Sequence, residues 1–87
     1  MSVEVVLYGA PDCGLCDEAK RVLESQAGAV GFELRTVDIS GDEELERRHR
    51  QEIPLVTVDG RRAFKFRVDP AELRRRVLAA KASQSTA

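Results

Sequence analysis

Leu7-Tyr8-Gly9-Ala10-Pro11-Asp12-Cys13-Gly14-Leu15-Cys16 passes from the end of an apolar run, through a turn, into two cysteines three residues apart. Upstream, Val3, Val5, Val6 and Leu7 form a β-branched stretch that ends at Tyr8, where Gly9, Pro11 and Asp12 stop it. An apolar run bounded by turn residues reads as a buried strand. Downstream the periodicity turns helical. From Cys13 to about Ala27, the residues Leu15, Ala19, Val22, Leu23 and Gln26 or Ala27 fall on one face, with Lys20, Arg21 and Glu24 on the other. Gly28 and Gly31 end that helix.

The cysteine pair therefore sits at a strand-to-helix turn, and that position gives the spacing its chemical meaning. The unpaired N–H groups and dipole of a helix N-terminus favour an anion and lower a thiol's pKa below its free value of about 8.5. Cys13 is the expected nucleophile. Cys16, one turn further in, is placed to attack a mixed disulfide on Cys13 and release the partner. Asp12 and Asp17 flank the pair and oppose a thiolate by charge repulsion, so the depression should be small. Two rival readings exist. Two thiolates fill only half of a tetrahedral metal shell, and no second CxxC or Cys/His pair completes it, so a metal or iron–sulfur site would need a dimer or outside ligands. A non-catalytic adaptor is the other rival, and the intact pair argues against it. No metal site is expected, and dithiol chemistry requires no cofactor.

The rest of the chain alternates strand and helix. Phe32 to Ile39 reads as a second strand, and strand–helix–strand in so few residues is a βαβ unit with parallel strands. Ser40 to about Arg50 reads as a short charged helix anchored by Leu45. Its i,i+4 pairs, Glu43–Arg47, Glu44–Arg48 and Glu46–Arg50, are each worth about 0.2–0.5 kcal/mol. His49 belongs to its solvated face. Leu55-Val56-Thr57-Val58, Asp59-Gly60 and Arg61 to Phe66 spell a hairpin, the Asp-Gly pair supplying the positive φ angles of a type I′ turn. Phe64, Phe66 and Val68 should share its core face. Asp69 as cap, Pro70 at the first helical position and Glu72 in a capping box open a last helix. Val68 and Leu73 are spaced as a hydrophobic staple. Leu73, Val77 and Ala80 or Lys81 give that helix a thin apolar stripe, helped by Leu78, and Arg74-Arg75-Arg76 its wet face. The order β-α-β-α-β-β-α predicts one α/β domain over residues 1–82, with a mixed four-stranded sheet flanked by helices. Residues 83–87 should fray.

The segment from Leu7 to Cys16 resembles the strand end and active-site segment of glutaredoxins. Ile53-Pro54 and Asp59-Gly60 stand where that family has its cis-proline and its hairpin turn. The likeness covers about residues 3–81 and points to small bacterial glutaredoxin-like proteins. It implies a thioredoxin-like fold and a thiol–disulfide oxidoreductase that exchanges with protein or small-molecule disulfides. It also implies Cys13 as nucleophile, Cys16 as resolving thiol, Pro54 as cis-proline and Ile53 as a main-chain contact for substrate. Tyr8, a packing residue beside the site, and Pro11 are expected to border the substrate. The pattern departs in three places. Gly-Leu separates the cysteines where the family has Pro-Tyr, no basic residue precedes them, and Arg67-Val68-Asp69-Pro70 replaces a Gly-Gly turn followed by Asp. Glutathione, anionic at both ends, thus loses its usual anchors, and the electron donor stays open between glutathione and a reductase.

Size and charge narrow the partners. A chain of 87 residues buries about 60–65% of its unfolded surface, too little for a deep substrate cavity, so chemistry should lie where a partner reaches it. Residues 1–60 carry 6 basic and 13 acidic side chains, and residues 61–87 carry 8 basic and 2 acidic. Stacking aromatics do not interleave with the basic residues, which argues against nucleic acid; Arg74-Arg75-Arg76 would steer an acidic partner. No apolar stretch reaches the roughly 18–20 residues of a membrane helix, and no basic n-region with an apolar h-region opens the chain. A cytoplasmic monomer is expected.

Overall fold

The computed structural model describes residues 2–85. The apolar run at the start forms β1 (Glu4–Gly9), and helix α1 (Gly14–Gln26) follows the cysteine turn. A single π-helical turn (Ala27–Gly31) leads into β2 (Glu33–Asp38). A 3-10 turn (Ile39–Gly41) precedes α2 (Glu43–His49), then come β3 (Leu55–Val58), β4 (Arg61–Lys65) and α3 (Pro70–Ser85). The sheet order is β2-β1-β3-β4. β1 and β2 run parallel, as the βαβ unit requires, and β3 runs antiparallel to both β1 and β4.

Alternation along the strands divides the sheet into two faces. Val5 and Leu7 of β1 join Val56 and Val58 of β3 in the main core, together with Ala19 and Leu23 of α1 and Leu73 and Val77 of α3. Val6, Tyr8, Val37 and Thr57 point the other way and meet Leu45 of α2 around a shallow hollow. The centre of the sheet is dry: Leu23, Ile39, Leu55, Leu73, Val5 and Val56 are fully buried.

Several local expectations change in the folded chain. The buried stripe of α1 is Cys16, Ala19 and Leu23, so Leu15 turns outward and is 37% exposed. α2 starts three residues later than expected because Asp42, not Ser40, caps it, accepting from the N–H groups of Glu44 and Leu45 at 2.9 and 3.2 Å. Ser40 is instead drawn to Asp38, which accepts both its N–H and its hydroxyl. The Asp59-Gly60 turn has the positive φ angles foreseen, 49° and 84°. The hairpin it closes is bulged: Val56 pairs with Phe64 but Thr57 with Arg62. The extra residue lets Ala63 and Phe64 both pack against the core. Phe66 accordingly leaves the core face, adopting φ 70° with 44% exposure.

Asp69 caps α3, accepting from Ala71 N–H at 3.1 Å, while Glu72 turns to Arg75 and Arg76 rather than back to the cap. The helix continues through 83–85, where fraying was expected. Lys81 Nζ donates to Val30 O at 2.6 Å and Gln84 Nε2 to Asp59 Oδ2 at 2.8 Å, and these two bonds tie its last turn to the body. Residues 86 and 87 of that expected tail lie outside the described residues.

Candidate active site

The turn between β1 and α1 brings the two cysteines together. Cys13 is the N-cap of α1, with extended backbone (φ −115°, ψ 106°), and its Sγ accepts a hydrogen bond from Cys16 N–H at 3.2 Å. Asp17 N–H donates to Cys13 O, which closes the first turn. The sulfurs are joined in a Cys13–Cys16 disulfide with Cα atoms 5.2 Å apart. Burial distinguishes the pair: Cys13 is half-buried, and Cys16 is 5% exposed. Cys13 is thus the outer cysteine of the pair and Cys16 the inner one.

Gly9 makes room for the inner cysteine. A Cβ built there would lie 3.1 Å from both Cβ and Sγ of Cys16, closer than ordinary van der Waals contact. β1 and β3 pair through Tyr8 and Leu55. One step further along this register, Pro54 comes beside Gly9, at the strand ends from which the cysteine turn departs. The Ile53–Pro54 peptide is cis and Pro54 is fully buried. Pro54 O accepts Phe66 N–H at 2.8 Å, while among the described residues no backbone hydrogen bond engages Ile53. Pro11, exposed at the turn, borders a cleft of about 210 Å³ with Gly9, Cys16, Lys20, Thr36 and Asp38. The Ser40 hydroxyl and amide hold the Asp38 carboxyl below the usual carboxylate range. A larger hollow, about 400 Å³, lies between α3 and β4 beside Asp59, Arg61 and Arg76, at the far end of β3 from Pro54.

His49, expected in solvent, is instead turned inward. Its side chain is 13% exposed and its ring centroid lies 5.1 Å from that of Tyr8. Its Nδ1 is 3.2 Å from Glu52 Oε2, and Glu52 receives both terminal nitrogens of Arg62 at 2.8 and 3.0 Å. Hydrogen bonds from Arg62 and then His49 hold the Glu52 carboxyl below its ordinary value. This joint stands immediately before Ile53-Pro54 and was invisible as a motif, because Glu52 and Arg62 meet only across a bulged hairpin. Gly9 was missed because the atoms it makes room for come from α1, and Phe66 leaves the expected core face because the bulge that turns it out lies between strands. Among the described residues no group of three or more His, Cys, Asp or Glu side chains assembles as a metal shell. No helix among them is long and apolar enough to cross a membrane.

A family model described as "Glutaredoxin-like domain (DUF836)" matches residues 4–78. The chain belongs to this glutaredoxin-like family. Its thioredoxin-like fold, a mixed four-stranded sheet with three helices, agrees with the solved structures it matches. Protein XcR50 from X. campestris is 29% identical, with 86% of this chain and 96% of that one covered and a TM-score of 0.71. Protein Ne2328 from Nitrosomonas europaea is 24% identical over 93% of this chain and 92% of its own, also at TM-score 0.71. Chloroplastic thioredoxin z shares the fold at 21% identity and TM-score 0.77, with 93% of this chain and 80% of that one covered. Comparison with the curated proteins gives no match.

Proposed function

We propose that this glutaredoxin-like protein is a thiol–disulfide oxidoreductase whose dithiol is Cys13–Cys16. The carrying observation is the disulfide itself, formed at the start of α1 between a half-exposed Cys13 and a buried Cys16. In the reduced protein, the Cys16 amide that now points at Cys13 Sγ and the helix N-terminus favour a thiolate on Cys13. That thiolate attacks one sulfur of a substrate disulfide; the substrate S–S bond breaks, and its second sulfur leaves as a thiolate that takes up a proton. Cys16, deprotonated in turn, attacks Cys13 Sγ and releases the first substrate sulfur. Two electrons have passed to the substrate, and the protein holds its Cys13–Cys16 disulfide until an external thiol or dithiol reduces it.

Ile53, beside the cis Pro54, offers the main-chain edge along which an extended disulfide substrate lies, with Pro11 and Tyr8 bordering it. The substrate is a disulfide-bearing polypeptide or small molecule, met by a monomer in the reducing cytoplasm. No cofactor is required, and glutathione is a weaker donor than a dithiol reductase because Asp12 and Asp17 flank the cysteines and repel its carboxylates. Mass spectrometry of the reduced protein after mild oxidation should show the loss of two hydrogens, localised to the Cys13–Cys16 peptide and reversed by dithiothreitol. Two thiols that remain alkylatable after oxidation would remove the reading.

A further inference from the structure

Leu15 and Phe66, 37% and 44% exposed, line one hollow beside the cysteine turn, together with Ala19, Val22, Arg67 and Val68. Leu15 is part of the CxxC itself. Phe66 reaches the hollow from the end of β4, where its φ of 70° is a conformation that bulky residues rarely adopt. The N–H group of Phe66 donates to Pro54 O at 2.8 Å, so the same proline that flanks the dithiol sets where this ring stands. A strained backbone that holds an aromatic ring in solvent costs stability twice, once in the backbone and once in unburied apolar surface. The arrangement makes sense where something covers the ring.

Size and charge identify what covers it. The hollow measures about 150 Å³, below the roughly 300–1,000 Å³ of a small-molecule pocket and sufficient for one side chain. Lys65 Nζ stands 5.8 Å from the Phe66 ring centroid, and Arg67 lines the hollow. Among the described residues neither cation has a carboxylate within 4 Å. The lining holds a single acid, Glu18, on the α1 side.

We infer that the Leu15–Phe66 hollow is the specificity surface for a polypeptide substrate, taking one apolar side chain next to the substrate cysteine while Lys65 and Arg67 face acidic residues beside it. This rests on the oxidoreductase reading and narrows its substrate class. An apolar side chain buried against Leu15 and Phe66 raises the rate of attack by Cys13, since it holds the scissile disulfide in place. The acidic flank adds a salt-sensitive contribution.

The test uses the Cys16→Ser protein, in which Cys13 forms a single mixed disulfide. Short peptides carry one cysteine joined to thionitrobenzoate, whose release is followed by absorbance. One peptide has leucine beside the cysteine and glutamates around it. A second replaces the leucine by serine, a third the glutamates by lysines, and the glutathione derivative is the fourth substrate. The leucine–glutamate peptide should react about tenfold faster than the serine and lysine forms, a margin ordinary for one apolar group in a pocket. The advantage over the lysine peptide should shrink at high salt. Phe66→Asn, in which asparagine tolerates the positive φ, should reduce the leucine preference below about threefold. Leu78→Asn, on α3 and also exposed but outside the hollow, should leave the preference intact. Equal rates for leucine and serine peptides, a preference that survives Phe66→Asn, or fastest reaction with the glutathione derivative would each overturn the inference. Failure of all four substrates to modify Cys13 would overturn the oxidoreductase reading beneath it.

Discussion

A methyl group at Gly9 would press on both the Cβ and the Sγ of Cys16 at 3.1 Å, and both are tightly held, one by helix α1 and the other by its bond to Cys13. The CxxC motif thus depends on a residue four positions before it, which supplies no chemistry of its own. Gly9→Ala should destabilise the protein by about 1–3 kcal/mol through overpacking. It should also slow closure of the Cys13–Cys16 disulfide after oxidation, because Cys16 must be displaced from its seat. Denaturant titration of the reduced protein checks the first effect and quenched alkylation the second. An alanine variant with wild-type closure and stability would show that β1 yields here at no cost. At this scale the sequence was half legible. Cys13 and Cys16 announced themselves by spacing and position, and Pro54 by resemblance. Gly9 gave no signal beyond ending a strand, because the atom it makes room for comes from the next element.

Between elements, the Glu52 carboxylate fastens three pieces together: α2 through His49, β4 through Arg62, and the Ile53–Pro54 segment that follows it in the chain. Its pKa lies below the ordinary value, so the unfolded chain binds the proton more readily than the folded one. The contribution of Glu52 to stability is therefore fully present above the unfolded glutamate pKa of about 4.3 and is lost as pH falls through the lower folded value. Thermal unfolding of the wild type and Glu52→Gln across pH 3–7 should show the wild type more stable at neutral pH and the gap closing below about pH 4. A gap that stays constant in acid would contradict the ion-pair account. Elements themselves were easier to read than joints. The strands, the Asp59-Gly60 turn and the Asp69 cap follow from local propensity and periodicity. The bulge opposite Val56 and Thr57 does not, since it answers the packing of Ala63 and Phe64 together, and Phe66 was misplaced by the simple alternation that the bulge breaks.

In the whole molecule, two helices cover one face of the sheet and the third covers the other, while the dithiol turn, Pro54 and Phe66 gather at one end of the central strands. The fold was legible because each level of the sequence agrees with the next: a parallel βαβ unit, then a hairpin, then a capped helix, all with apolar faces in phase. The charge separation between the first 60 residues and the last 27 also carries into three dimensions. Arg61 and Arg76 line one hollow between β4 and α3, and Lys65 and Arg67 carry basic charge at the Phe66 end of the sheet. The central claim is that Cys13 attacks and Cys16 resolves, and the most direct measurement separates those two roles. Cys13→Ser and Cys16→Ser proteins are each incubated, reduced, with a disulfide-bearing protein, quenched with acid and run on non-reducing gels. Cys16→Ser should accumulate a mixed disulfide through Cys13 that dithiothreitol dissolves, and Cys13→Ser should accumulate none. Mixed disulfides through Cys16 in the Cys13→Ser protein, with none through Cys13 in the other, would contradict the account.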